Sequence, residues 1–236
     1  MSFPPHAVVI TAAGSSERFI SSHPEQSPKK ELVLLDDRTV LYHAVEPFMT
    51  IPNLRHVIVT YPELYRDECE SALDNLLFAY DTPISLVPGG KTRQESVYRA
   101  LEYLYQLDSD ISLVAIHDGA RPFITQKMII ELLATASVAG GTVPAVNVTD
   151  AIKKVDEHGL LVGHLDRTNI VTIQTPQVFR YPEILLSHQK AKESSKVYVD
   201  DSEIYTDGGY HVATVRGDAE NIKITTYDDI VRIKES

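Results

Sequence analysis

Apolar positions along this chain follow two rhythms. Short continuous runs rich in β-branched residues alternate with longer stretches in which apolar residues recur every three or four positions. The runs predict strands over 7–10, 56–60, 84–88, 113–116 and 142–148. The longer rhythm predicts helices over 39–48 (Leu41, Ala44, Val45, Phe48), 63–77 (Ala72, Leu73, Leu76, Leu77) and 94–107 (Val97, Ala100, Leu101, Leu104). Thr125 suits the N-cap of a further helix reaching about Ala139. Such alternation predicts an α/β domain with a mainly parallel sheet.

The pattern changes after this. Segments 146–155 and 160–165 look extended and flank Asp156-Glu157-His158-Gly159, which predicts a β-hairpin with a glycine-bearing turn. A hairpin set into an alternating α/β chain has little core left to join. It either projects toward a second subunit or lies on the edge of the same sheet. A helix over 182–192 with a proline in its first turn, a strand over 211–216, a short extended run over 221–225 and a closing helix over 227–235 complete the chain. No linker composition interrupts it, so the expectation is one domain, 1–236, with a β-arm at about 146–168.

In such a fold, right-handed crossovers gather the C-terminal ends of the strands on one edge, where ligands bind. Three polar loops arrive at that edge, over 11–18, 89–96 and 117–122. The first follows a buried strand with Thr11-Ala12-Ala13-Gly14-Ser15-Ser16, and Arg18, Lys29 and Lys30 come after it. Small residues let backbone N–H groups approach an anion, and the basic groups can close over it. The expectation is a nucleotide-phosphate loop. It lacks the G-x-x-x-x-G-K-[ST] pattern of P-loop enzymes, and its single glycine, Gly14, disfavours a dinucleotide fingerprint.

Composition narrows the classes. The formal net charge of −11 argues against nucleic acid, which needs a basic footprint. A phosphate site in an acidic protein must gather positive charge locally, often with a divalent metal. The one cysteine, Cys69, excludes an intrachain disulfide and fits a reducing, cytoplasmic setting. It falls in a helical stretch and reads as a small core residue. The first residues, Met-Ser-Phe-Pro-Pro-His, have neither the basic nor the apolar region of an export signal, and no run is long enough to span a membrane.

An ordered set of motifs then covers nearly the whole chain: A-A-G-S-S-E-R-F (12–19), P-K (28–29), G-G-K-T-R-Q-E-S-V (89–97), H-D-G-A-R-P (117–122), D-R-T (166–168), Q-T-P-Q-V-F (174–179), D-D-S (200–202) and N-I-K-I-T (221–225). In this set the chain resembles the 2-C-methyl-D-erythritol 4-phosphate cytidylyltransferases of non-mevalonate isoprenoid biosynthesis. The resemblance implies a Rossmann-like, three-layer nucleotidyltransferase fold, CTP and magnesium as co-reactants, and a homodimer joined through the arm. It implies that Thr11, Ala12, Ala13, Gly14, Gly90, Ser96 and Gly119 hold the cytidine, with Arg93 in the same nucleotide-binding set. Asp118 would lie by the magnesium, and Arg18 and Lys29 would embrace the triphosphate. Lys223 would contact phosphate, and Arg167 on the arm would reach the sugar phosphate in the neighbouring subunit. At 151 and 199 this chain has alanine and valine where the family usually has threonine, and Glu31 stands near a common aromatic position. The first two changes remove hydroxyls from the polyol-phosphate pocket. They leave open an acceptor such as ribitol 5-phosphate, and a nucleotide-binding module without turnover is a third possibility.

The chemistry agrees with that resemblance. A phosphate monoester has a second pKa of about 6 and attacks as an anion, so no general base is needed. His117 is therefore expected to be structural, at a strand end. The reaction does need charge neutralisation and in-line placement of two polyanions. Small residues at Ala12, Ala13, Gly14 and Ser96 suit a narrow, pyrimidine-sized slot.

Overall fold

A computed structural model describes residues 3–22, 29–107, 110–194 and 196–235. Its centre is a sheet in the order β10-β5-β9-β4-β1-β2-β3, with β8 paired to β5. These strands are β1 (His6–Thr11), β2 (Leu54–Tyr61), β3 (Ile84–Pro88), β4 (Leu113–Asp118), β5 (Gly141–Asn147), β8 (Val171–Ile173), β9 (Gln177–Arg180) and β10 (Val212–Arg216). The pairs β1–β2, β1–β4, β2–β3 and β5–β10 are parallel. Only β8 and β9 run against the rest. The chain leaves β1 for β2 on one side and later returns to β4 on the other. The switch in strand order thus falls at β1 and β4, where Thr11 lies in register with Asp118.

Side-chain alternation along β1 explains the layers. Val8 and Ile10 point into one buried cluster with Phe48 of α2 (Val40–Met49), Leu73 of α3 (Arg66–Ala79) and Leu132 of α5 (Gln126–Ala139). Ala7 and Val9 point into another with Leu101 of α4 (Arg93–Gln106), Ile184 of α6 (Tyr181–Glu193) and Tyr205 of α7 (Asp201–Asp207). Burial on both faces is why these strands read as continuous apolar runs. A third small cluster joins Phe19 of α1 (Glu17–Ser22) to Val40, Ile224 and Ile230 of α8 (Tyr227–Glu235). Thr39, Thr92 and Thr125 cap α2, α4 and α5, each accepting a backbone N–H three residues on. Cys69 is buried, and burial pushes its thiol up to about 11, in keeping with a core residue.

Several expectations shift. The segment 146–168 divides: Val146 and Asn147 still belong to β5 and pair with β8. The separate hairpin is β6 (Ile152–Val155) against β7 (Leu161–Leu165). Asp156 shapes its turn by accepting the N–H groups of His158 and Leu160. The helix expected over 63–77 begins as a single 3-10 turn, Glu63–Tyr65. The extended run over 221–225 joins no strand; Arg121, Asn221 and the bond from Ile224 N to Ala120 O hold it instead. The strands β8 and β9 and the helices α1 and α7 are too short to carry a readable rhythm. No helix among the described residues is long and apolar enough to cross a membrane.

Leu101 is fully buried beneath the sheet. Replacing it by alanine is expected to cost about 3 kcal/mol through lost burial and a residual cavity, read as a lower urea midpoint with the same slope.

Candidate active site

The loops after β1, β3 and β4 meet over the switch point and enclose a cleft of about 610 Å³. Thr11, Ala13, Gly14, Gly90, Arg93, Ser96, Asp118 and Lys223 all line it. Ala12 and Gly119 form the layer beneath: Ala12 is buried, and a Cβ on Gly119 would stand 3.2 Å from the Cβ of Ala12.

The first loop is held from below by Lys29. Its ammonium, only 2% exposed, donates to the carbonyls of Ala12 and Gly14 and pairs with Glu31 at 3.6 Å. In a planar trans peptide the C=O and the following N–H point in opposite directions. Carbonyls turned down toward Lys29 therefore turn the N–H groups of Ala13 and Ser15 away from it, and both residues line the cleft. Ser16, at φ 57°, makes the left-handed bend into α1, and its hydroxyl donates to Glu31. The second loop packs directly on the first. A Cβ at Gly89 would sit 2.1 Å from the Cβ of Ala13, so only glycine allows this approach. Ser96 Oγ accepts the Gly90 N–H at 3.0 Å and donates to Thr92 O at 2.9 Å, closing the turn.

Asp118 is the hub of the cleft. Lys223 Nζ lies 2.7 Å from its Oδ2, Arg121 Nε 3.5 Å from the same atom, and Arg93 Nε 3.3 Å from its Oδ1. The Thr11 hydroxyl donates to Oδ1 as well. Burial works to raise this carboxyl, but Arg93, Lys223 and Arg121 hold it far below the usual carboxylate range. Arg121 also donates to Asn221 O, and buried Asn221 donates to Thr175 O, which fixes the segment carrying Lys223.

His117 has the structural role expected of it. Its ring is fully buried, with Nε2 at Arg121 O and Nδ1 at Thr175 Oγ1. A carbonyl only accepts, so Nε2 carries the proton. Nδ1 then accepts from Thr175, whose oxygen in turn accepts the Asp118 N–H. Burial drives the imidazole pKa down to about 4.

Three expected charged residues stand apart from the cleft: Lys29, expected at the triphosphate with Arg18, is instead enclosed beneath the first loop on the Ala12 and Gly14 carbonyls. Arg18 is exposed on α1 and does not line the cleft. Arg167 is exposed beyond β7 and donates to Thr149 O. Ala151 and Val199 are exposed and outside it too. The structure adds residues that the sequence reading left without a role. Arg121 and Asp201 sit within quoted motifs, but only their contacts reveal them. Lys30 lines the cleft, half-buried, and its ammonium has no hydrogen-bond or ion-pair partner among the described residues. Burial lowers its pKa. A partly desolvated, unpaired cation facing a cleft is a receptor for an anion.

A switch-point cleft with a small-residue phosphate loop and converging cations defines a nucleotide-handling α/β enzyme, and the comparisons make the class nucleotidyltransferase. The model of the family 2-C-methyl-D-erythritol 4-phosphate cytidylyltransferase, IspD, matches residues 6–235, and the chain belongs to this family. It is 37% identical over 228 residues to the 2-C-methyl-D-erythritol 4-phosphate cytidylyltransferase of Caldanaerobacter subterraneus, covering 95% of each chain. Its fold is similar to 4-diphosphocytidyl-2C-methyl-D-erythritol synthase from Anaerococcus prevotii (TM-score 0.80, 26% identity, 98% of this chain and 95% of that one). It also matches the Thermus thermophilus cytidylyltransferase (TM-score 0.73, 26% identity, 100% and 98%).

His117 sets a pH dependence. Unfolded, a histidine titrates near 6.5; folded, this one titrates at about 4. Between those values the unfolded chain binds a proton that the folded chain refuses, so its contribution is complete above pH 6.5 and lost as pH falls toward 4. The loss approaches about 3 kcal/mol. Denaturation measured across that window should slope less in His117→Gln; equal slopes would refute the assignment.

Proposed function

We propose that this chain transfers the cytidylyl group of CTP to 2-C-methyl-D-erythritol 4-phosphate. A phosphate oxygen of the acceptor attacks the α-phosphorus of CTP, the bond to the bridging oxygen breaks, and pyrophosphate leaves with that electron pair. The observation that carries this reading is the set of cations from three chain segments, Arg93, Arg121 and Lys223, around one buried carboxylate at the switch point, beside the unpaired Lys30. The attacking oxygen is already an anion, and His117, neutral and enclosed, has no proton to take from it. The work left for the protein is to hold two polyanions together and in line.

Roles follow from the geometry. The Ala13 and Ser15 N–H groups and Lys30 meet the triphosphate, while Arg93 and Lys223 exchange part of their hold on Asp118 for phosphate oxygens. The narrow gap between the 11–16 and 89–96 loops takes the cytosine. Arg18, exposed on α1 outside the cleft, would have to move to close over the phosphates, and Lys29 supports the loop beneath them. Magnesium is proposed to come with CTP as part of the substrate. Among the described residues no group of three His, Cys, Asp or Glu side chains could hold a metal. Asp118 would be the carboxylate beside such an ion, which would neutralise phosphate charge there.

The hairpin supports a homodimer. Leu160, Leu161 and Val162 are each more than 60% exposed on a two-stranded sheet with no core of its own. An isolated hairpin of this kind is marginal in water, and a second copy can cover it. Arg167 directly follows it and would then reach the partner's cleft. The protein is proposed to work in a reducing cytoplasm, in keeping with its one buried thiol.

Pyrophosphate release from CTP and magnesium, with 2-C-methyl-D-erythritol 4-phosphate or ribitol 5-phosphate, tests the reading. Release with the first acceptor alone is expected; release with the second alone would move the enzyme to another substrate. Lys30→Met should lower kcat/KM for CTP by about 10² or more, with the fold retained. Leu161→Glu should give monomers in sedimentation and lose most activity; a fully active monomer would overturn the trans role of Arg167.

A further inference from the structure

Behind the cleft, one buried side chain is tied to its cations without touching it. His188 lies on the inner face of α6, and its imidazole has no solvent exposure. Its Nε2 stands 3.1 Å from Asp201 Oδ1, and its Nδ1 has no hydrogen-bond partner among the described residues. The facing carboxylate can only accept, so the Nε2 position carries a proton and donates it to Asp201. The other tautomer would set two acceptors face to face and bury an orphan N–H.

Asp201, also fully buried, opens α7 and uses its second oxygen on Arg93: Oδ2 to Nη1 is 2.6 Å. Burial works to raise the Asp201 carboxyl, but Arg93 and the His188 hydrogen bond keep it below its ordinary value. Arg93 then reaches Asp118 Oδ1 through Nε, and its Nη2, buried, has no hydrogen-bond partner among the described residues. The order is therefore His188, Asp201, Arg93, Asp118, running from α6 through α7 and α4 to the end of β4.

Each link fixes the next. A carboxylate held at one oxygen can rotate about its Cβ–Cγ bond; one held at both cannot. With Asp201 locked by His188, the guanidinium plane of Arg93 is defined by two carboxylates, and its free Nη2 is directed by them. Without the His188 donor, Asp201 would have a buried oxygen without a partner and would be free to turn about Cβ–Cγ. The plane of Arg93 would turn with it.

We propose that His188 is a positioning residue for nucleotide binding, acting through Asp201 on the orientation of Arg93. This rests on the reading of the cleft as the CTP site. Glutamine at 188 can carry an amide N–H to the Nε2 position, whereas leucine fills the volume and donates nothing. His188→Leu is expected to raise KM for CTP about tenfold, the worth of one hydrogen bond, with KM for the acceptor unchanged. His188→Gln should restore most of it. A purely structural role would lower the melting temperature in His188→Leu and leave KM for CTP at the wild-type value in assays run below melting; that result overturns the proposal.

If the leucine variant does not fold, His188→Asn, whose amide is too short to reach Asp201, takes its place under the same criterion. Wild-type protein that bound no CTP in calorimetry would instead refute the CTP reading itself. Wild-type binding with unaltered KM in the variants refutes only the role of His188.

Discussion

A carboxylate buried among cations governs this molecule. Asp118 at the end of β4 would be costly to ionise in its buried position, and it is ionised because Arg93, Arg121 and Lys223 surround it. The converse matters as much. Those cations come from three separate chain segments, and without a central anion they would repel one another out of the cleft. Asp118 thus stores a positive site in a closed, neutralised form. On the proposed reading, an incoming polyanion would find the cations already gathered and compete for them with Asp118, and for Arg93 with Asp201 as well, which spares the reorganisation that a loose cluster would demand.

The fold serves this arrangement at every level. Parallel pairing of β1 with β4 sets Thr11 beside Asp118, and the Gly119 N–H closes on Thr11 O at 3.0 Å. The 221–224 segment has no strand of its own, so Asn221, Arg121 and the bond from Ile224 N to Ala120 O hold it where Lys223 is needed. Its continuation, α8, packs on Phe19 of α1, which links the phosphate loop to the same support. An acidic protein of net charge −11 thereby keeps a strongly basic interior point.

Much of this was legible in the sequence, for definite reasons. Strands such as 7–10 and 113–116 are buried on both faces and read as apolar runs, and Thr125 caps a helix because its hydroxyl accepts the Met128 N–H. The three polar loops were recognisable because parallel topology leaves them one edge to occupy. Long-range side-chain geometry was not legible. Adjacent Lys29 and Lys30 look equivalent on paper, yet the 3-10 turn at Lys30–Leu32 sends one beneath the loop and the other into the cleft. Asp200 and Asp201 are similar twins: one caps α7, the other is buried on Arg93 and His188. Strands β8 and β9 were missed because three or four residues cannot show a period, and antiparallel insertion next to β4 is a tertiary choice.

Gly89 and Ala13 meet so closely that no atom could be added between them. The width of the slot between their loops is therefore set by main-chain contact and not by any side chain's choice of rotamer. A gate of this sort has no soft part to adjust. Thermal fluctuation must carry both walls together, and a larger base cannot gain entry by pushing a side chain aside. On the proposed reading, selectivity for a small ring would in this sense be a property of the scaffold's rigidity, one that substitutions elsewhere in the cleft would find hard to relax.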